Sequence, residues 1–238
     1  IFKNDFRLNC VSVPIEEDGI NLDILEEELK NGDPTKLRFL YTIPTFHNPT
    51  NYTMSHEKRV RLALLAETYD NFIIVADEVY QMLYFKDKPP SPLCYYTDKA
   101  ISLGSFSKIL APALRLGWMQ IRNKDIMNKF LESGQMDSSG GFNPIIQSLV
   151  HGIIDNGYLE DNIAFCCATL EDKYDALYEA VNKDLCDYVT CNRCTGGYFL
   201  WIKLNNQKAS NLLEKCMENK VHFLPGEKFS ATGGCQNY

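Results

Sequence analysis

The chain has 238 residues, of which 45% are hydrophobic, 23% charged and 12% aromatic, and its formal net charge is −7. This balance excludes a disordered chain, and the length suits one large domain or two modest ones with a sizeable core. The acidic balance without a basic run argues against a nucleic-acid partner, and no apolar stretch is long enough to span a membrane. The chain opens on Ile1 rather than Met and shows no signal-peptide pattern. The natural start is therefore expected upstream, and the location cytoplasmic.

In chain order, Asn21 is predicted to cap a helix over Leu22 to Lys30, with Leu22, Leu25 and Leu29 on its buried face. Leu37 to Ile43 reads as a strand. Ser55 caps a second helix running to about Tyr69, with Val60, Leu64 and Leu65 as its expected buried stripe. Phe72 to Ala76 is a continuous apolar run that suits a parallel strand covered on both faces. Ala100–Leu103 and Leu116–Ile121 read as further strands, separated by a Gly- and Pro-punctuated segment from Gly104 to Arg115. Asn143-Pro144 starts another helix, expected to end at Gly157. A long helix follows from about Leu159 to Asn182, a candidate connector between domains. Tyr198–Leu204 reads as a strand, Ala209–Lys220 as a helix and Val221–Leu224 as a strand. The alternation predicts an α/β fold without repeats or low-complexity segments.

The nine cysteines are scattered, which favours reduced and mostly buried thiols over a disulfide framework. Cys191 and Cys194 form a lone C-x-x-C with no second pair, and no metal site is expected from it. Cys166-Cys167 reads as helix packing. His47, His56 and His151 are expected in packing or surface roles.

Three predicted strands each end in polar residues. The first runs into His47-Asn48-Pro49-Thr50, the second into Asp77-Glu78-Val79-Tyr80, and the third into Gly104-Ser105-Phe106-Ser107-Lys108. Open α/β sheets bind ligands beyond the carboxyl ends of their strands, so the three ends are expected to meet at one crevice. Each alone is a weak signal, since such residues usually belong to solvated loops.

Together they carry a resemblance. The segment GSFSKILAPALRLGW (Gly104–Trp118) resembles the cofactor-lysine segment of fold-type I pyridoxal-phosphate-dependent aminotransferases, closest to the kynurenine, 2-aminoadipate and aromatic amino-acid enzymes. HNPTNYTMS (His47–Ser55) resembles that family's Asn-Pro-Thr-Gly segment, and IIVADEVYQMLYF (Ile73–Phe85) its Asp-x-x-Tyr segment. TGGYFLWIKL (Thr195–Leu204) and VHFLPGEKF (Val221–Phe229) resemble its later small-domain segments.

The resemblance implies a three-layer αβα large domain on a mostly parallel sheet, here residues 1–157. A connector helix and part of a smaller α/β domain would follow in 158–238. It implies pyridoxal 5′-phosphate as cofactor, bound to Lys108 as a Schiff base, with the freed amine later moving a proton. A buried lysine near other cations would have the lowered pKa that this needs. Asp77 would pair with the pyridine nitrogen, and Tyr80 and Asn48 would bond the phenolic oxygen. Ser105, Ser107 and Arg115 would hold the phosphate. Gly196-Gly197 and Pro225-Gly226 would let the backbone approach the site.

Two departures stand out. Asn51 replaces the glycine of Asn-Pro-Thr-Gly, where asparagine best tolerates positive φ, and Ala113 stands where relatives often carry glycine. The family's substrate-carboxylate arginine is expected beyond Tyr238. Its upstream phosphate ligands and ring-stacking aromatic are expected before Ile1. The chain is thus expected to be part of a longer enzyme, a homodimer when whole, taking a small-molecule amino acid and a 2-oxo acid. Intact Lys108, Asp77, Tyr80 and Arg115 argue against a pseudo-enzyme. Alternatives from the same resemblance are a lyase or synthase on amino acids, or the ligand-sensing domain of a transcriptional regulator.

Overall fold

The computed structural model describes residues 2, 5–137 and 142–238. A short antiparallel hairpin, β1 (Ile15–Glu16) and β2 (Gly19–Ile20), leads into α1 (Leu22–Asn31). The Asn21 side chain accepts from the N–H groups of Asp23 and Ile24, capping α1 as predicted, and Leu22, Leu25 and Leu29 are buried. The main sheet comprises β3 (Arg38–Thr42), β4 (Phe72–Asp77), β5 (Ala100–Ser105) and β6 (Gly117–Ile121), in that spatial order. The first three strands run parallel and β6 pairs antiparallel with β5. Helix α2 (His56–Thr68), capped by Ser55, connects β3 to β4.

One sheet face is dry. Leu40, Phe72, Ile74, Ala76 and Ala100 pack there with the apolar residues of α1 and α2. The other face of β4, carrying Ile73, Val75 and Asp77, is partly buried, so both faces are covered, one more completely than the other. The expected α2 stripe is corrected. Val60 and Leu64 are 40% and 62% exposed, while Arg59, Leu62, Ala63, Leu65 and Ala66 face inward. Small alanines let α2 approach the sheet, and Arg59 occupies a polar niche that a count of apolar residues overlooks.

Beyond β5 come the one-turn α3 (Phe106–Ile109), then after β6 the helices α4 (Lys124–Leu131), α5 (Gly134–Asp137) and α6 (Pro144–Asp155). Gly157, with φ +74° and its N–H on the Ile154 carbonyl, ends α6 as expected and also stands as the N-cap of the 27-residue α7 (Tyr158–Asp184). Strands β7 (Val189–Cys191) and β8 (Ile202–Leu204) pair antiparallel, and α8 (Ala209–Glu218) follows.

The strand expected over Tyr198–Leu204 is confined to Ile202–Leu204, because the backbone before it bonds across to other segments. The Asn51 amide donates to the carbonyls of Gly196 and Phe199, at 2.9 and 2.7 Å. Val221–Leu224 is not a strand. The Val221 N–H bonds the end of α8 at Cys216, and Val221 and Leu224 are exposed. All nine cysteines are free, yet only Cys94 is buried, which corrects the expectation of mostly buried thiols.

Candidate active site

Because β3, β4 and β5 are parallel neighbours, their carboxyl ends lie side by side, and the segments predicted to converge leave the sheet together. Asp77 is the last residue of β4. Its Oδ2 accepts the Tyr41 hydroxyl at 2.6 Å, while Oδ1 is buried without a partner. In the segment after β3, the Asn48 Oδ1 is likewise buried and unpartnered. A buried acceptor left open costs about 1–3 kcal/mol, so each of these two oxygens is placed to receive a donor.

Tyr80, 4% exposed, links these residues to Lys108. Burial pushes the Tyr80 phenol above its ordinary range, the Asp77 charge adds to the rise, and the Asn48 side chain opposes it. The Lys108 Nζ lies 5.9 Å from the centre of the Tyr80 ring and 6.0 Å from that of Tyr198. Asn48, Asp77, Tyr80 and Lys108 are thus brought together. Lys108 itself is exposed, so the expectation of a buried lysine is corrected: its amine is flanked by rings but open on one side.

Ser105 and Ser107 begin α3, and the Ser105 hydroxyl accepts the Ser107 N–H at 3.1 Å. Both side chains are partly buried on the same turn as Lys108. Arg115 is placed differently. It is exposed, sits at φ +52° two residues before β6, and turns its Nη1 onto the Pro112 carbonyl at 3.1 Å. In this geometry its guanidinium serves its own loop rather than joining the two serines.

Of the glycines expected to allow close approach, Gly196 and Gly197 lie against Phe46 and Asn51, whereas Gly226 packs against Cys235, Trp201 and Tyr238. A Cβ on Gly196 would lie 2.3 Å from the Phe46 ring, and one on Gly197, where φ is +79°, 2.5 Å from Asn51 Oδ1. Asn51 adopts φ +58°, so asparagine does support the turn that glycine was expected to need.

Four contributors escaped the sequence reading. Tyr41 holds Asp77, and Tyr198 bonds the Lys108 carbonyl at 2.7 Å. Arg59 and Glu78 are buried beneath the site, 3.4 Å apart. Every N–H direction of Arg59 is used: Nε on the Met54 carbonyl, Nη1 on Glu78 and the Ser91 carbonyl, Nη2 on the Pro44 carbonyl and Thr45. Burial nevertheless outweighs the pairing and raises the Glu78 carboxyl above its ordinary range. The only local signal was Arg59 itself, a charge where α2 needs an inward residue.

His47 bonds Thr50 through Nδ1 at 3.0 Å, and burial lowers its pKa to about 4, so it is neutral at pH 7. His56 meets the Tyr96 hydroxyl and His151 pairs with Asp155 on the surface, in keeping with the expected packing and surface roles. Among the described residues, no three His, Cys, Asp or Glu side chains are grouped to hold a metal, and no helix is long and apolar enough to cross a membrane.

The profile of the family described as aminotransferase class I and II matches residues 2–235. The chain belongs to that family. It is 34% identical over 232 residues to aromatic-amino-acid aminotransferase 1 of Thermococcus litoralis, covering 95% of this chain and 55% of that one. Its fold matches the kynurenine aminotransferase of Pyrococcus horikoshii, solved with PMP, kynurenine and its product, with a TM-score of 0.85 at 32% identity. That match covers 95% of this chain and 57% of the other. An uncharacterised HTH-type transcriptional regulator of Bacillus subtilis is 26% identical over 217 residues, 90% of this chain and 44% of its own length. This member of the aminotransferase family therefore spans little more than half the length of its enzyme relatives.

Proposed function

We propose that the protein is a pyridoxal-phosphate aminotransferase acting between an α-amino acid and a 2-oxo acid, with Lys108 as the residue that carries the cofactor. The observation that carries this reading is the Lys108 amine held against Tyr80 and Tyr198, with the Asp77 charge and the Asn48 side chain acting on the same Tyr80 phenol. The residues fit the group. The open Asp77 Oδ1 suits a protonated ring nitrogen, Tyr80 and Asn48 suit a phenolic oxygen, and Ser105 and Ser107 suit a phosphate. Arg115 would join the serines by releasing the Pro112 carbonyl. When bound, the cofactor supplies an electron sink for the carbanion formed at the amino acid's Cα.

The chain's residues do the rest. Asp77 keeps a positive charge on the ring nitrogen, and Tyr80 and Asn48 hold the ring oxygen in place. Lys108 would carry the cofactor, and its amine would be the group placed to take and return the proton at the amino acid's Cα. Residues 1–157 are assigned to the cofactor-binding portion and 158–238 to the connector and smaller portion. The amino acid is proposed to be aromatic, kynurenine-like or 2-aminoadipate-like, and the whole protein a cytoplasmic homodimer.

The test is to mix the chain with pyridoxal phosphate, record the visible band, reduce with borohydride and map the peptides. A pyridoxyl label on Lys108 that Lys108→Ala abolishes is the expected result. A label scattered over surface lysines would sink the assignment. A second reading, a ligand-sensing domain, is favoured by the match to the Bacillus regulator. It predicts the same label with no amino transfer to any of a panel of 2-oxo acids.

A further inference from the structure

We infer that Tyr41 is a positioning residue for the Asp77 carboxylate, fixing one oxygen so that the other is presented to the ring nitrogen of the cofactor; this rests on the function proposed above. Tyr41 lies on β3 opposite Val75, two residues before Asp77 on β4. Alternation along parallel strands therefore puts both side chains on the same, less covered sheet face, as diagonal neighbours within reach of a long aromatic. The phenol spans that gap and donates to Oδ2 at 2.6 Å. Oδ1 has no partner and is buried.

A free carboxylate rotates about its last bond and offers either oxygen. A single strong donor on one oxygen removes that freedom and leaves one acceptor at one place. No other hydrogen bond to the Asp77 side chain exists among the described residues, so the aim of Oδ1 depends on this phenol. The arrangement also divides labour. Tyr41 engages Oδ2, so the unshared Oδ1 is the one left for a protonated ring nitrogen. Burial raises the Tyr41 phenol well above its ordinary range, and the bond and charge of Asp77 raise it further, so it stays a donor throughout the working pH range.

The structural role of Tyr41 can be separated from this one. Tyr41 is 41% exposed and its ring packs against Phe2 at 5.4 Å, and Tyr41→Phe keeps that ring. The experiment loads the chain with pyridoxal phosphate labelled with 15N in the ring. It reads two things: the dissociation constant from the visible band, and ring-nitrogen protonation from the 15N shift. Tyr41→Phe is expected to weaken cofactor retention about five- to tenfold and to move the 15N signal towards the unprotonated position. In an Asp77→Asn background the same substitution should change retention less than about twofold, because its effect passes through the carboxylate. Retention and 15N shift unchanged in Tyr41→Phe, or an equal loss in both backgrounds, would overturn the inference. A wild-type chain that takes no cofactor on Lys108 overturns the function and this inference together. Failure confined to the variants overturns the inference alone.

Discussion

The hydroxyl of Tyr198 donates to the backbone carbonyl of Lys108 at 2.7 Å, while its ring stands 6.0 Å from the same residue's amine. One side chain from the segment before β8 thus grips the turn that carries the candidate lysine. Tyr198→Phe removes the bond and keeps the ring. It should cost about 0.5–1.5 kcal/mol in urea unfolding and loosen the turn, seen as faster exchange of the Leu110 and Ala111 amides that close it. Unchanged exchange would show that α3 holds itself.

Gly104 pairs across the strands with Trp118, and a Cβ on it would lie 2.0 Å from that indole. Gly104→Ala should therefore expel Trp118 from its place against Phe106, with an overpacking cost of about 1–3 kcal/mol or more. Tryptophan fluorescence and the unfolding midpoint read it. A native emission spectrum with unchanged stability would contradict the packing described.

Arg59→Met keeps volume but takes the cation from Glu78, which retains the Leu93 N–H, and removes a donor from three carbonyls. The expected loss is about 3–5 kcal/mol, the range for breaking a buried ion pair from one side. Adding Glu78→Gln should recover part of that loss, since the orphaned charge goes with it. If the double variant is no more stable than Arg59→Met, the carbonyls rather than the carboxylate dominate.

His47 titrates at about 4 when folded and at about 6.5 when unfolded, so between those values the unfolded chain binds more protons. The stability from burying the neutral ring is complete above pH 6.5 and is lost as pH falls towards 4. The loss should be roughly 1–3 kcal/mol. His47→Gln should flatten this part of the curve of unfolding free energy against pH, measured by urea titration at pH 4.5 to 7.5.

Asn51 separates conformation from bonding. Asn51→Gly keeps φ +58° accessible but loses the two bonds to Gly196 and Phe199, at about 1 kcal/mol each. Asn51→Ala loses both and adds strain of about 1 kcal/mol. The order wild type, Gly, Ala in midpoint is expected, and Ala at or above Gly would contradict it.

Much of the frame was legible because its signals are local. Asn21, Ser55 and Asn143 each precede an apolar periodicity and do cap helices. Asp77 ends, and Tyr80 and Lys108 follow, strands whose runs are strongly apolar. What escaped depends on which strand lies beside which, and at what register. Nothing near Tyr41 in sequence points to Asp77, and nothing near Tyr198 points to Lys108. Arg115 illustrates the converse: its motif is local and intact, but its rotamer is decided by a carbonyl three residues away. The strand expected at Val221–Leu224 had suitable residues and no neighbour to pair with.

The saturated guanidinium of Arg59 also bears on the order in which the chain settles. Its acceptors come from the segment after β3, the residue after β4, the Ser91 loop and the residue before the Ser55 cap of its own helix. Until all are assembled, the cation is better hydrated than enclosed, because a partly satisfied buried charge is costly. Its dehydration is therefore expected to fasten these stretches together in one step. The segments bearing Asn48 and Tyr80 should open as one cooperative unit in native-state hydrogen exchange, neither fraying ahead of the other.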